Sequence, residues 1–182
     1  MTPIRFLDRP SSGAMALVVL GLIAYLWFRP PAWVEDLHQT APAVSWQTTD
    51  GLQRLADLSG KVVLVNFWGT WCPFCRIEMP AMQAFYSDWR ERGFEIVAFS
   101  IDEDHAVADA YMRSEGFTFP APPADAYTRS AFGRVEQVPT SFIVDRQGVI
   151  RHRIEGQLYY GRLEELISPL LAETGSQIES AG

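Results

Sequence analysis

The feature that most constrains this chain is a strand-like apolar segment that leads into a pair of cysteines. Residues 62–67 read VVLVNF, and the only two cysteines of the chain, Cys72 and Cys75, follow shortly afterwards. A β-branched run of this kind has no polar face, which predicts a central strand buried on both sides. Pro73 can occupy the first turn of a helix without loss of a hydrogen bond. The segment therefore predicts a buried strand, a helix and a CxxC pair at their junction.

The spacing of the two cysteines favours redox chemistry over a structural disulfide. A disulfide that closes such a short segment restrains almost no unfolded-state entropy. At the start of a helix, free amide groups stabilise a thiolate and can lower the pKa of the first cysteine below its usual ~8.5. We therefore expect Cys72 to be the nucleophile and Cys75 its resolving partner, and a purely structural disulfide is the alternative.

The N-terminal segment predicts a membrane anchor. Residues 14–28 read AMALVVLGLIAYLWF, and Arg5 and Arg9 precede them. Positive residues upstream of an apolar segment place the N terminus in the cytoplasm and the remainder across the membrane. A helix from Ser11 would measure roughly 27 Å, against a hydrocarbon core of ~30 Å. A cleaved signal peptide is the main alternative and a buried core helix a lesser one, but residues 26–29 offer no small-x-small cleavage site.

The charge of the chain argues against nucleic acid as a partner, and its length limits the number of domains. The chain has 182 residues and a formal net charge of −7, without a basic stripe that could neutralise the phosphates of a nucleic acid. One domain with a short appendage fits this length. We expect a membrane anchor over residues 1–31, a stem over 32–43, a globular domain over 44–173 and a polar tail over 174–182.

The globular part alternates strand and helix signals, which predicts an α/β layer sandwich with a mixed sheet. The right-handed crossover rule places the CxxC at the C-terminal edge of that sheet. Pro80 and Pro169 should bend the helices that contain them. The predicted elements are an edge hairpin with its turn at Asp50 and Gly51, strands at 61–67, 94–101, 141–145 and 149–156, and helices from 73 to about 92, at 105–115, 128–133 and 162–173.

Two short segments carry a family resemblance. Residues 66–80, NFWGTWCPFCRIEMP, and the VPT at 138–140 resemble the thioredoxin superfamily, specifically its membrane-anchored TlpA-like and ResA-like thiol-disulfide oxidoreductases. The resemblance covers about residues 44–173. It implies a thioredoxin-like three-layer sandwich with an N-terminal hairpin and a helix-containing insertion near residues 94–123. It also implies that the cysteine pair carries the electrons, without a metal or an organic cofactor.

The resemblance also implies roles for individual residues. Cys72 would attack and Cys75 would resolve, while Pro139 would follow a cis peptide bond and the backbone of Val138 would dock the substrate. Trp71 matches the tryptophan beside the motif in this family.

Glu78 matches an acidic residue that contributes to active-site chemistry in ResA-like members, and its alternative role is a first-turn acid that favours the helix dipole. Two positions depart from the superfamily. Asn66 stands where thioredoxins proper have a buried aspartate, and Glu78, one helical turn after Cys75, could substitute for it. Pro73 and Phe74 form an unusual dipeptide between the cysteines, which leaves the direction of electron flow open.

These observations predict a single-pass protein of the bacterial cytoplasmic membrane whose catalytic domain faces the periplasm. We expect it to reduce disulfides of exported client proteins, and a transmembrane donor protein to return its electrons. By family analogy, the haem-attachment cysteines of apocytochrome c are candidate clients. The alternatives are a disulfide oxidase or isomerase, and a Cu(I)-binding module. His38, His105 and His152 are too scattered in the sequence to complete a zinc site.

Overall fold

The computed structural model describes residues 12–28, 33–48 and 51–173. The chain divides into two compact units, Met1–Pro31 and Ala32–Gly182. The first unit contains the helix α1 (Ser12–Phe28). No helix in the described ranges combines the length and the apolar character needed to cross a bilayer. The anchor predicted for residues 1–31 therefore stays a prediction, and Arg5, Arg9 and the tail at 174–182 lie outside the described residues.

The second unit is built on a mixed β-sheet, as the alternation of strand and helix signals predicts. Over the described residues this sheet has five strands, with two parallel neighbours and antiparallel pairing elsewhere. A separate antiparallel pair forms the N-terminal hairpin. The main sheet has the order β1-β7-β6-β4-β5, and the strands are β1 (Trp33–Thr40), β2 (Ser45–Thr48), β3 (Gly51–Arg54), β4 (Val62–Trp68), β5 (Phe94–Ser100), β6 (Thr140–Val144) and β7 (Val149–Glu155).

Helices cover one face of this sheet, and a mixed layer covers the other. The long helices pack on one face, where their apolar residues form a core with the strands. The hairpin, a 3₁₀ turn and the segment around Phe132 pack on the opposite face. The helices of this unit are α2 (Pro73–Trp89), α3 (His105–Glu115), α4 (Ala126–Ala131) and α5 (Tyr160–Ala172).

The central strand β4 contributes to both cores, as its composition predicts. Every residue of β4 is buried. Successive side chains of a strand point to opposite faces, so Leu64 packs with the helices and Val65 packs toward the hairpin. Asn66 is the one polar residue of the strand and points to the same face as Leu64, where α2 lies.

The stem predicted for residues 32–43 is wrong. Trp33–Thr40 forms β1, an edge strand that pairs antiparallel with β7. Val34 and Leu37 pack against the two cores of the domain. The remaining side chains of an edge strand can stay in water, so its sequence lacks the apolar run by which a central strand is recognised.

Smaller differences concern the hairpin and two helices. The hairpin forms its own two-stranded sheet rather than the edge of the main sheet, and Asp50 at its predicted turn lies outside the described residues. α4 begins two residues before the predicted start because Asp125 caps it, accepting a hydrogen bond from Thr128 N–H at 2.6 Å. α2 continues through Pro80. The segment 94–123 holds β5 and α3, which confirms the predicted strand and helix there, while its status as an insertion stays a prediction.

Candidate active site

The cysteine pair lies at the junction of β4 and α2, at the C-terminal edge of the sheet as predicted. Cys72 is the N-cap of α2, and its Sγ accepts a hydrogen bond from Cys75 N–H at 3.2 Å. Cys72 and Cys75 are joined by a disulfide. The free amides and the dipole of a helix start favour negative charge, which in the dithiol form would fall on Cys72.

The two sulfurs differ in their access to solvent and in their neighbours. Cys72 is 3% exposed and Cys75 is completely buried, so a partner can reach only the first cysteine. The Sγ of Cys72 lies 3.6 Å from the carbonyl oxygen of Val138. The Val138–Pro139 peptide bond is cis, which confirms the conformation that the family resemblance implies. The structure thus places the Val138–Pro139 bond beside the sulfur of Cys72, and the role of these two residues in docking substrate stays a prediction.

Glu78 lies beneath the pair, one helical turn after Cys75. Its side chain is completely buried. The carboxylate accepts hydrogen bonds from Leu158 N–H at 2.8 Å and from Asn66 Nδ2 at 2.9 Å. Burial raises the pKa of Glu78 to about 8, against the lowering effect of these two hydrogen bonds. A carboxyl group with this pKa can exchange a proton near neutral pH.

The alternative role for Glu78, a first-turn acid stabilised by the helix dipole, does not fit the structure. α2 begins at Pro73, so Glu78 is the sixth helical residue and no acidic residue lies in the first turn. A favourable dipole would lower the pKa of the acid, whereas the pKa of Glu78 is raised. Glu78 is therefore a buried acid beside the disulfide.

Two residues around Glu78, Ser141 and Leu158, were not assigned to the site from the sequence. Asn66 Nδ2 also donates to Ser141 Oγ at 2.9 Å, so Asn66 links Glu78 to strand β6. Ser141 in the buried strand β6 is an available signal, because polar side chains are rarely buried without a partner. Leu158 acts through its backbone N–H, and no pattern of side chains could have identified it.

The outer side of the disulfide presents apolar side chains to solvent. Trp71, Phe74 and Ile77 are 64%, 55% and 59% exposed. A groove of about 450 Å³ runs past Trp71 and Ile77. Its lining includes Tyr111, whose ring centroid lies 5.3 Å from the guanidinium carbon of Arg76. Exposed apolar side chains clustered around a reactive sulfur are typical of a surface that binds another protein.

The loop before Cys72 is tied to the end of β5 by a carboxylate. Asp102 accepts hydrogen bonds from Thr70 N–H at 3.1 Å, from Thr70 Oγ1 at 2.7 Å and from Ser100 Oγ at 2.8 Å. An acidic run such as residues 102–104 before a helix is typical of capping charge, but the cap of α3 is Asp104 alone. Asp102 instead fixes the position of the loop that carries Trp71.

The candidate metal ligands do not form a cluster. Among the described residues, no group of three or more His, Cys, Asp or Glu side chains is arranged to hold a metal ion. His105 lies 3.2 Å from Asp109, and His152 lies 2.8 Å from Asp36. The first pair lies on α3 and the second joins β7 to β1, whereas the cysteine pair lies at the start of α2.

Comparison with known proteins identifies relatives of the same kind. Residues 37–153 match the AhpC/TSA family. The thiol-disulfide oxidoreductase ResA of Oceanobacillus iheyensis is 34% identical over 127 residues, which cover 70% of this chain and 66% of that protein. ResA of Bacillus thuringiensis is 36% identical over 111 residues, 61% of this chain and 64% of that protein. The chain therefore spans slightly less than two thirds of the length of these two relatives.

Another relative and the solved structures extend this likeness over more of the chain. ResA of Geobacillus thermodenitrificans is 32% identical over 146 residues, 79% of this chain and 83% of that protein. A thiol:disulfide interchange protein of the thioredoxin family from Chlorobium tepidum superposes with a TM-score of 0.69 at 31% identity, covering 75% of this chain and 99% of that one. StoA of Bacillus subtilis shares the fold, with a TM-score of 0.59 at 22% identity over 69% of this chain and 96% of that one.

Proposed function

Because this chain belongs to the AhpC/TSA family and, within it, to the thiol-disulfide oxidoreductases of the ResA type, we propose that it is a membrane-tethered reductase of disulfides in exported proteins. The observation that carries the proposal is the placement of Cys72. Its sulfur lies at the start of a helix and beside the carbonyl oxygen of Val138, with Cys75 and Glu78 buried beneath it. This arrangement provides a nucleophile, a docking edge, a resolving thiol and a proton acceptor.

Client reduction begins with the dithiol form of the protein. The Cys72 thiolate attacks one sulfur of a client disulfide, forms a mixed disulfide and releases the other client sulfur as a thiolate. The amides at the start of α2 stabilise the negative charge before the attack. The backbone of Val138 positions the client segment beside the reacting sulfur.

The resolving step needs a base, because Cys75 is buried and enters the step as a thiol. Glu78 takes the proton of Cys75, and the resulting thiolate attacks Cys72 Sγ. The bond between Cys72 and Cys75 forms as the bond to the client breaks, and the client leaves as a thiolate with two more electrons than it brought. The protein is then in the disulfide form described above.

The cycle closes when a donor supplies two electrons. One thiolate of a donor dithiol attacks Cys72, Cys75 leaves as a thiolate, and Glu78 returns the proton to it. The second donor thiolate then attacks the donor sulfur bonded to Cys72, which forms the donor disulfide and releases Cys72 as a thiolate. An exported reductase works in an oxidising compartment, so its electrons must come across the membrane. A membrane protein with a reactive dithiol is the class of donor that this requirement implies.

The N-terminal segment supports a tether. α1 consists of apolar and small residues, and Arg5 and Arg9 precede it in the sequence. This charge order directs the catalytic domain out of the cytoplasm of a bacterium. Tethering to the periplasmic side would keep the enzyme beside its donor and beside newly exported clients. Proteins that must keep cysteines reduced there, such as apocytochrome c before haem attachment, are the clients we propose.

Trapping of mixed disulfides tests the proposal. In Cys75→Ala, the adduct on Cys72 cannot be resolved and should accumulate with the clients in the cell envelope, where it can be isolated and identified. Cys72→Ala is the matched control and should form no adduct, because Cys75 is buried. The proposal is wrong if Cys75→Ala forms no adduct and the wild-type pair also never cycles between its two redox forms.

The direction of electron flow is measured separately. Equilibration of the cysteine pair with glutathione gives its reduction potential, and a reductase should fall well below about −180 mV. A value well above that would favour an oxidase or an isomerase. Tight, stoichiometric Cu(I) binding under anaerobic conditions, without disulfide exchange, would favour the metal-binding module instead.

A further inference from the structure

The buried partner of Glu78 has an unused acceptor. Asn66 Nδ2 donates to Glu78 Oε1 and to Ser141 Oγ, each at 2.9 Å. Asn66 Oδ1 is buried, and the described part of the chain provides no hydrogen-bond partner for it. A buried acceptor without a partner costs free energy, so its retention in the middle of a core calls for a physical reason.

The amide of Asn66 has two orientations that suit opposite charge states of Glu78. A half turn about the last side-chain bond exchanges the amide nitrogen and oxygen at nearly the same positions. With nitrogen toward Glu78, the amide donates to a carboxylate. With oxygen toward Glu78, it accepts from the hydroxyl of a carboxylic acid. Ser141 suits both orientations, because its hydroxyl can accept from the nitrogen or donate to the oxygen.

We propose that Asn66 is the positioning residue that lets Glu78 change its charge inside the core. Asn66 presents its amide nitrogen to the carboxylate and its amide oxygen to the carboxylic acid, and the Ser141 hydroxyl reverses its own role in step. An aspartate in place of Asn66 would add a second charge, and an apolar residue would satisfy neither state. This inference rests on the proposed function of Glu78 as the base for Cys75.

Each turn of the amide accompanies one proton transfer. Before resolution, Glu78 is a carboxylate, Asn66 donates to it and Ser141 accepts from Asn66. The Cys75 thiol then gives its proton to Glu78, and its sulfur attacks Cys72 and expels the client thiolate. Glu78 now carries the hydroxyl and Asn66 Oδ1 accepts from it and from Ser141, while the amide NH₂ gives up both of these acceptors and takes the position that Oδ1 has left.

The surroundings of Glu78 contain few other groups that could set its charge. Asn66 approaches from β4 with Ser141 behind it on β6, the Leu158 N–H approaches from the segment between β7 and α5, and Cys75 lies one turn earlier on the same helix. Of these described neighbours, only the Cys75 thiol titrates. Burial and the two hydrogen bonds to Leu158 and Asn66 shift the pKa of Glu78, without a contribution from a charged side chain.

Nuclear magnetic resonance of the full chain in detergent micelles tests the turn directly. The disulfide form is used, because neither Cys72 nor Cys75 titrates in it. The ¹³Cδ resonance of Glu78 reports its charge, and Overhauser contacts from the side-chain NH₂ of Asn66 to the β protons of Ser141 report the amide orientation. We expect these contacts in the carboxylate form and their loss in the acid form, with a shared midpoint. Contacts that persist through the titration of Glu78 would overturn the inference.

Kinetics of resolution provide a second test. Cys72 is loaded with glutathione, and the release of glutathione by Cys75 is followed from pH 6 to pH 10. Asn66→Leu removes the charge-assisted donor to the carboxylate and the weaker acceptor for the acid, so the pH midpoint of this step should rise by their difference, about one pH unit. The rate at pH 7 should fall about tenfold, because a smaller fraction of Glu78 is then ionised. The attack of Cys72 on oxidised glutathione is measured in parallel, so that an effect on resolution is separated from an effect on the attack.

Conservative variants separate this role from a general effect on packing. Ser141→Ala should raise the midpoint, whereas Ser141→Thr retains a hydroxyl and should restore it. Ser168 is a hydroxyl residue on α5 with no partner among the described residues, and Ser168→Ala should leave the midpoint unchanged. Wild-type midpoints in both Asn66→Leu and Ser141→Ala would overturn the inference. If Asn66→Leu does not fold, the two Ser141 variants and the resonance experiment still decide.

Glu78→Gln distinguishes failure of this inference from failure of the proposed function. If Glu78→Gln resolves at the wild-type rate, Glu78 is not the base and the proposed resolving step is wrong. If Glu78→Gln is slow and the Asn66 and Ser141 variants behave like the wild type, only the role of Asn66 is wrong.

Discussion

The two sides of the Cys72–Cys75 disulfide have opposite chemistry. On the outer side, Trp71, Phe74 and Ile77 expose apolar surface to water. On the inner side, polar groups are completely buried: Glu78, with Asn66 and Ser141. Each arrangement is the reverse of what folding alone favours, since apolar side chains gain by burial and an acid loses by it.

We propose that the two sides perform different tasks. The outer side can bind an apolar segment of a partner, and it contributes nothing to the core of the domain. The inner side can hold a proton near neutral pH, and it lowers the stability of the fold when Glu78 is ionised. A thiol-disulfide exchange needs both properties within a few residues of one sulfur, and the start of α2 supplies them on opposite sides.

The largest expected effect concerns the inner side and the stability of the fold. The pKa of Glu78 is raised from 4.5 to about 8 in the folded protein, so the folded state binds the proton more tightly than the unfolded state does. The stabilisation from the protonated acid is fully present below pH 4.5 and is lost as the pH rises to about 8. The free energy of unfolding should therefore fall by up to about 1.4 kcal/mol per pH unit in this window.

Glu78→Gln should abolish this slope, because glutamine does not titrate. At pH 8 the variant should be more stable than the wild type by several kcal/mol, with about 5 kcal/mol as an upper limit. Denaturant unfolding of the disulfide form at a series of pH values measures both quantities. Glu91→Gln is the matched control, since Glu91 is a well-exposed residue outside this cluster. If the free energy of unfolding changes with pH in the same way in the wild type and in Glu78→Gln, Glu78 has an ordinary pKa. The inner side would then not differ from the outer side in the way described.

The cysteine pair and its place at the start of α2 could be predicted from the sequence, whereas the exposure of Trp71, Phe74 and Ile77 could not. The apolar run of β4, the CxxC spacing and Pro73 are local signals, and each depends on residues that are close in the chain. The cis bond before Pro139 came from the family resemblance, because base rates of about 5% make such a bond improbable from composition alone. The roles expected for Cys72 and Cys75 rest on their order at the start of α2, with Cys72 as the N-cap.

The inner half depends on contacts between distant segments, and no local pattern encodes them. Asn66 and Ser141 are 75 residues apart, and Glu78 and Leu158 are 80 apart, yet both pairs form hydrogen bonds. The role of Asp102 was missed for the same reason, because Thr70 lies 32 residues before it. β1 was missed because an edge strand can remain polar on exposed positions, so its pairing with β7 leaves no apolar run in the sequence.

A smaller effect is expected on the outer side. Trp71→Ala and Ile77→Ser should each slow the attack of Cys72 on a disulfide-bonded peptide with apolar residues beside its cysteines, by roughly fivefold, or about 1 kcal/mol. Their rates with oxidised glutathione should stay near the wild-type value, because glutathione is too small to cover this surface. Stopped-flow measurements with both probes check the contrast.

The control for this surface is an exposed apolar residue far from the cysteines. Leu52, in the hairpin strand β3, is 55% exposed, and Leu52→Ala should change neither rate. If Trp71→Ala and Ile77→Ser slow glutathione as much as the peptide, these side chains act on the sulfur itself. The outer side would then be part of the reacting centre, and the division of tasks between the two sides would be wrong.

The smallest effect is expected from Gly69, which leaves room for the indole ring of Trp71. A Cβ at Gly69 would lie 2.8 Å from Trp71 Nε1, too close for both atoms to stay in place. Since the ring is the far end of an exposed side chain, Gly69→Ala should displace it at little cost in stability and slow capture of the peptide two- to threefold. Gly161→Ala is the control, because its nearest contact would be 3.9 Å away.

The indole resonance of Trp71 and the peptide rate should change together in Gly69→Ala. If the resonance shifts while the rate stays constant, binding does not depend on where the ring lies, and only the presence of apolar surface on the outer side matters.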